Sequence, residues 1–535
     1  MLCPLRRRRS RGVSTRKGIA DLTGARTGRS AASVGAGILT SRITGFVRDV
    51  VIAAFFGIGP VMDAYAAALK IPNILRNLLG EGTLSASFVP VYSARLGAGD
   101  EEGARRTASG VLGIVLLVSG LVVAIGVAAA PLLARWVTPG FESDVSALTA
   151  GLIRILFPMS GLMIIGAWCL GVLTSHRQFF LPFAAPVLWN LAQIVGLLVA
   201  SRVGWEPLVF VLAWSTLAGA ALQVLVQLPA TRRLAGTLRP RIDRSESVDT
   251  VVRNAGPVAA GQGIFQVSSF VDVILASTLG YGPIAGMYFA QRIVQLPMAL
   301  FGVSVAVASL PEMSREDGID ALRPHLASGV RRTLYFILPA VVVLLLYGDL
   351  VITLIYERGT FDSDATVVVR WILGGYTVGL IATSLVKLFA SGFHSMQDTR
   401  TPMLYAAISV IVGIGIGAGL MIWMSRAGLG TRAATGLALG GAAGAWLNLT
   451  LLSRGLVSRG LSGLWRDNAG AVGRLAAAAL LAGAVSWPVR GWTRGAFGDG
   501  ILALGLELVT VLAAGGVAYL AVAGPGPLRR VGTAG

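Results

Sequence analysis

The stretch SRITGFVRDVVIAAFFGIGP, residues 41–60, is apolar enough to enter a membrane, yet it carries Arg42, Arg48 and Asp49. A charge at the centre of a bilayer-spanning helix costs about 2.5–3.5 kcal/mol on insertion scales. A helix turns 100° per residue, so Ser41, Gly45 and Arg48 share one stripe and Arg42 and Asp49 the next. Together they form a single polar sector, with Arg42 and Arg48 about 9 Å apart along the axis. An apolar helix with one charged sector faces lipid on one side and water or other charges on the other.

The rest of the chain has the same character. Of its 535 residues 54% are hydrophobic and only 13% are charged, and the mean hydropathy is +0.73. A soluble domain carries about a quarter charged residues. The expected fold is therefore an all-α polytopic membrane protein. Hydropathy places fourteen spans near 33–57, 62–94, 107–136, 148–173, 180–201, 206–229, 251–279, 284–312, 331–355, 366–393, 402–424, 433–453, 470–489 and 501–523. The second is long and is expected to break at Pro72 and at Gly80–Gly82.

The net charge is +19, nearly all from arginine, since Lys17, Lys70 and Lys387 are the only lysines. With a cytoplasmic N-terminus, the tail and the loops after even-numbered spans hold most of the 45 Arg and Lys residues. The loop at 230–250 is basic and the opposite loop at 348–364 is acidic. This asymmetry follows the positive-inside rule and places both termini in the cytoplasm. It accounts for the basic balance as a topology signal with affinity for anionic lipids, not as a nucleic-acid surface. Residues 1–30 read as a basic cytoplasmic tail, because they lack the apolar run and cleavage site of a signal peptide.

The opening stretch recurs. DVVIAAFFGIGP at 49–60 and DVILASTLGYGP at 272–283 share their Asp, Val, Ala, Gly, Gly and Pro. Each is followed by a tyrosine (Tyr65, Tyr288) and then a basic residue (Lys70, Arg292). A fainter pair is GVLTSHRQFFLP at 171–182 and GFHSMQDTRTP at 392–402. The repeat implies two six-helix lobes of like topology, a parallel repeat. The N-lobe covers 31–250 and the C-lobe 251–455, and 456–535 holds two C-terminal helices and a short cytoplasmic tail. In transporters built this way the site lies between the lobes near the bilayer midplane.

The intramembrane charges converge on that interface. The first span supplies Arg42, Arg48 and Asp49, and the second Asp63, Lys70, Arg76 and, near its glycine break, Glu81. The eighth supplies Arg292 with Gln291 and Gln295, and the tenth Lys387. Four arginines facing lipid would carry a burden of order 12 kcal/mol, comparable with the stability of a whole domain. They must face a wet cavity or each other. Asp49 and Asp63 can neutralise two of them, and the surplus stays positive. Arginine is always charged and binds phosphate bidentately, so such a cavity suits a di- or polyanion, for example a diphosphate-linked lipid headgroup. Asp49 and Asp272 occupy equivalent repeat positions, where salt-bridge or capping roles are equally open.

Other chemistries have little footing. Cys3 and Cys169 form no metal or redox motif. GIGIGAG at 413–419 lies within a span and reads as close helix packing, not a nucleotide loop. There is no phosphate-binding loop of the ATPase type, and His176, His325 and His394 make no zinc motif. An enzyme acting on lipid-linked glycan would want a catalytic carboxylate outside the membrane, and Asp362 with Asp364 is the one tempting pair. A drug exporter for organic cations would line its cavity with acids instead of arginines.

Residues 41–93, with AQRIVQLPMALFGVSVAVASLPEMS, YERGTFDSDAT and KLFASGFHSMQDTRTPM further on, resemble the MurJ/MviN family of lipid II flippases. These belong to the multidrug/oligosaccharidyl-lipid/polysaccharide exporter superfamily. The resemblance runs from about residue 31 to 455. It implies fourteen helices in two lobes around a central cavity, no catalytic site, and movement of undecaprenyl-linked disaccharide-pentapeptide across the bacterial cytoplasmic membrane for cell-wall synthesis. It implies substrate-binding roles for Arg42, Arg48, Asp63, Arg76 and Arg292, and possible coupling or gating roles for Asp49, Lys70, Glu81, Asp272 and Lys387. Cell-wall synthesis proteins are the partners it implies. Export of another lipid-linked oligosaccharide fits the same residues. Some relatives hold sodium between spans seven, eleven and twelve. Asp272 and Asn448 are the matching cation candidates, but span eleven has no Asp or Asn, so the coupling ion, Na+ or H+, is left open. The chain ends soon after the last span and is expected to lack the extra cytoplasmic domain of some actinobacterial relatives.

Overall fold

The computed structural model describes residues 37–236, 239–243, 245–303, 319–497 and 500–524. The basic segment 1–30, the end of the eighth span and the last eleven residues lie outside them. The described residues form helices and connecting turns, without a strand. Among the described residues, eleven helices are long and apolar enough to cross a membrane.

The first elements follow the opening stretch. Helix α1 covers 37–56 and stops at Gly57, whose φ of 55° is left-handed. Helix α2 (Pro60–Leu79) starts on Pro60, whose missing N–H costs nothing at the first helical position. The long second span is two helices, α2 and α3 (Glu81–Gly97), hinged at Gly80. A Cβ at Gly80 would collide with the Arg76 carbonyl. The expected break at Pro72 does not occur; Pro72 sits inside α2.

Helices α4 (Glu101–Ala128), α5 (Ala130–Val137), α6 (Ser143–Ser175), α7 (Phe180–Ala184), α8 (Pro186–Val203) and α9 (Leu208–Ala235) complete the first half of the chain. The second half opens with α10 (Glu246–Ser277) and α11 (Pro283–Pro297), which runs into a six-residue π-helical turn, Met298–Val303. It continues with α12 (Ile319–Tyr356), α13 (Ser363–Ser395), α14 (Arg400–Arg426), α15 (Thr435–Val457), α16 (Leu464–Phe497) and α17 (Ile501–Ala523).

One core cluster spans both halves. It joins Ile52, Met62 and Tyr65 to Leu156, Leu212, Phe289, Ile352 and Phe361. Small residues bring α14 and α15 together, as the GIGIGAG reading requires: an added Cβ at Gly413 or Gly417 would press on the backbone of Gly440. Helices α16 and α17 pack on each other and on α12. Arg490 fastens them by donating to Asp349 Oδ2 at 2.6 Å and to Glu507 Oε1 at 3.1 Å.

Candidate functional site

The polar sector of α1 turns inward. Ser41, Arg42, Gly45, Arg48 and Asp49 line a cavity of about 270 Å³ with Arg76 of α2, Met163 of α6, Trp189 and Asn190 of α8, Gln223 of α9, and Arg292 and Gln295 of α11. Its walls therefore come from both halves of the chain.

Arg48 is 4% exposed. It donates to Asp49 Oδ1 through Nη2 at 2.7 Å and Nε at 3.1 Å, and through Nη1 to Asn190 Oδ1 at 3.0 Å. Its guanidinium lies 4.9 Å from the centre of the Trp189 ring. Asn190 is itself fixed, donating to the Ser41 carbonyl and to Thr44 Oγ1, each at 3.1 Å. Gly45 leaves room for it, because a Cβ there would stand 3.4 Å from the amide nitrogen.

Asp49 is the hinge of the charge network. Besides Arg48 it accepts from the Tyr288 hydroxyl at 3.0 Å and pairs with Arg292 Nε at 3.4 Å. Arg292 packs over the Tyr288 ring, 4.8 Å from its centre. Four arginines and one aspartate line the cavity, so its charge is positive. Arg42 is exposed and makes no ion pair among the described residues. A polyanion entering would meet the exposed guanidinium of Arg42 beside those of Arg48 and Arg292.

One expectation needs correction. Asp63 does not neutralise a cavity arginine. It is fully buried and accepts from the backbone N–H groups of Gly282 and Ala285, both at 2.6 Å. A carboxylate is well placed there, at the N-terminus of α11. Asp362, of the acidic pair 362 and 364, caps α13 by accepting from the Ala365 N–H at 2.8 Å. The two cation candidates differ in their surroundings. Asn448 lines a separate cavity with Ser268, Thr383 and Ser409, and Asp272 is not among its walls. The Asn448 Oδ1 is buried without a partner, but Asp272 faces Lys70 electrostatically.

Lys387 stands near enough to Arg42 to feel its charge but does not line the cavity. The side chain of Glu81 lies outside the description. Sequence reasoning missed Trp189, Asn190 and Gln223, which carry no charge and so raise no insertion penalty.

The end of the bundle holding the loops at 57–59, 138–142, 278–282 and 357–362 is sealed. The Thr360 N–H donates to the Ala54 carbonyl at 2.9 Å, the Gly140 N–H to Ser277 Oγ at 3.3 Å, and the Glu142 N–H to the Tyr281 hydroxyl at 3.2 Å. With Asp63, these bonds tie the first half of the chain to the second.

Known proteins resemble this chain over most of its length. The family described as lipid II flippase MurJ matches residues 52–507. A probable lipid II flippase MurJ of Rhizobium tropici is 34% identical over 438 residues, 80% of each chain. One of Vibrio cholerae is 30% identical over 509 residues, 92% of this chain and 95% of its own. Among solved structures, a lipid II flippase MurJ in an inward closed conformation superposes with a TM-score of 0.77 at 22% identity, covering 93% of this chain and 99% of that one. An inward-facing multidrug transporter of the MATE family gives 0.65 at 18% identity, covering 79% and 96%. The sequence matches carry the assignment and the superpositions agree in fold: the chain belongs to the lipid II flippase MurJ family.

Proposed function

We propose that this protein is a flippase that carries a polyprenyl-diphosphate-linked peptidoglycan precursor, lipid II, across the bacterial cytoplasmic membrane. The observation that carries the reading is the convergence of Arg42, Arg48, Arg76 and Arg292 on one cavity walled by both halves of the chain. The charged diphosphate and sugars enter that cavity, and the polyprenyl tail stays in lipid. The four guanidinium groups replace the water lost by the phosphates. In this reading fourteen spans form two lobes, 31–250 and 251–455, with both termini in the cytoplasm, and the sealed end faces outward.

Transport is by alternating access. Binding of the anion competes for the arginines that now hold Asp49, and the lobes rock so that the outer seal opens. Release follows when Asp49 recaptures Arg48 and Arg292. The membrane potential or an ion gradient drives the return; replacing Na+ by choline in proteoliposomes tests a Na+ gradient, and a protonophore with the potential clamped by K+ and valinomycin tests H+. Anionic lipids and cell-wall synthesis proteins are the further partners of this reading.

Depletion of the protein tests it. Lipid II is expected to build up in the inner leaflet, and Arg42→Ala or Arg292→Ala is expected not to restore export. Unchanged leaflet distribution with failed polymerisation would instead point to an enzyme acting on lipid-linked glycan.

A further inference from the structure

A second cavity of about 220 Å³ adjoins the first and shares Arg76, Arg292 and Gln295 with it. Three helices build it with matched stripes at i, i+3 and i+7, the spacing of one helix face. Helix α2 gives Lys70, Asn73 and Asn77, α10 gives Gln266, Ser269 and Val273, and α11 gives Tyr288, Gln291 and Gln295. Five of these nine side chains are amides.

Among the described residues, Asn73, Asn77, Gln266, Ser269 and Gln295 make no side-chain hydrogen bond within the protein, whereas Gln291 spends its amide donor on the Tyr376 hydroxyl at 2.8 Å. Apart from the two shared arginines, Lys70 is the one charged side chain of this lining, and Asp272 is within electrostatic reach of it. Neither cavity alone reaches the usual size of a ligand pocket, roughly 300–1,000 Å³, but the two together do.

Amides offer both donors and acceptors without charge. They match hydroxyl and acetamido groups, which both donate and accept, more fully than phosphate, which only accepts. The shared arginines stand at the junction, and in the substrate the diphosphate is bonded directly to the first sugar. We propose that the α2–α10–α11 compartment seats the uncharged sugar part of the headgroup while Arg76 and Arg292 hold the diphosphate beside it. This deepens the functional reading above and rests on it.

The test uses the full chain in nanodiscs and two probes, undecaprenyl diphosphate and lipid II. The wild type is expected to bind lipid II about tenfold more tightly, the worth of one or two net hydrogen bonds. Asn73→Leu/Gln266→Leu nearly conserves volume and removes polar atoms. It is expected to erase that preference and to leave binding of the bare diphosphate lipid within about twofold. Equal affinity of the wild type for both probes would overturn the sugar seat and leave the flippase reading standing. Equal loss of both probes in the variant would also overturn it. If the wild type bound neither probe, the flippase reading would fall, and the sugar seat with it.

Discussion

The two copies of the repeat fold alike and are charged differently. Gly57 and Gly280 hold equivalent positions, and both are left-handed, with φ of 55° and 88°. The helices ending at Ser175 and Ser395 close with the same cap. Arg177 and Gln397 are left-handed non-glycines at φ of 60° and 59°, each bonded back three residues and followed by a bond back five. The repeat even exchanges charge interactions across the halves. Asp49 pairs with Arg292, and its counterpart Asp272 feels the charge of Lys70 without an ion pair. Yet the positions matching Arg48, Asp63 and Arg76 are Val271, Gly286 and Ala299. The backbone symmetry sets the architecture, and its breakage puts most of the positive charge on the first half.

The largest test of that asymmetry removes a cation from beside each aspartate. Arg48→Ala breaks the shorter ion pair of Asp49, which is 3% exposed, and leaves it Arg292 and Tyr288; breaking a buried pair costs about 3–5 kcal/mol, and the remaining partners put this loss at about 3 kcal/mol. Lys70→Ala takes away a charge that the partly buried Asp272 feels without an ion pair, at about 1 kcal/mol or less. Thermal unfolding in detergent is expected to rank them in that order. Equal shifts would mean that the two sites are interchangeable.

The next test sits where the repeat is most alike. Both Gly57→Ala and Gly280→Ala force an alanine into left-handed backbone, about 1–2 kcal/mol. At Gly57 the new Cβ would also stand 2.5 Å from the Thr360 carbonyl oxygen, while at Gly280 nothing lies within 4 Å. Gly57→Ala is therefore expected to cost about 1–3 kcal/mol more, the range of overpacking. The added strain falls on the seal itself, so accessibility of a cysteine placed at Tyr281 to an impermeant maleimide should rise in Gly57→Ala and not in Gly280→Ala.

Asp63 has no counterpart, because Gly286 cannot cap α2 in return. Asp63→Asn keeps the shape but loses a carboxylate that accepts two backbone N–H groups. A loss of about 1–2 kcal/mol at a helix N-terminus is expected, read as greater labelling of the same cysteine. Unchanged labelling would show that the Thr360 and Gly140 contacts hold the seal without it, since the cysteine at 281 has already removed the Glu142 contact.

These tests also mark what the sequence could disclose. Arg42, Arg48, Arg76 and Arg292 were legible because a charge within an apolar run demands an explanation in any fold. The repeat was legible through its glycines and prolines, which the backbone turns require. Asp63 was misread as a cavity acid because its partners are main-chain N–H groups, 219 and 222 residues away, and no side-chain pattern announces them. Trp189, Asn190 and Gln223 escaped because uncharged residues in a span look like packing. The amide stripes of α2, α10 and α11 have a visible period, but only the packing of three helices around one space gives that period a meaning.

The smallest expected effect concerns the second cap pair, outside the spans. Asp398 follows the left-handed Gln397 just as Gln178 follows Arg177, but only Asp398 titrates. The hydroxyl and N–H of Thr401 hold its carboxyl below the usual range, with help from Arg459, whose Nη2 lies 2.5 Å from Oδ2. A carboxyl whose pKa is lowered on folding stabilises the fold above its unfolded value, about 3.9. It loses that contribution as pH falls toward the folded value. Asp398→Asn is therefore expected to lower the unfolding temperature slightly at pH 7, with the difference from wild type shrinking below about pH 4. In the other copy, Gln178→Asp should create no such dependence if the cap geometry alone does not depress the carboxyl, since the residues three and 61 positions on are Leu181 and Arg239, not Thr and a docked arginine. A matching pH dependence in Gln178→Asp would assign the effect to the shared cap instead of to Thr401 and Arg459.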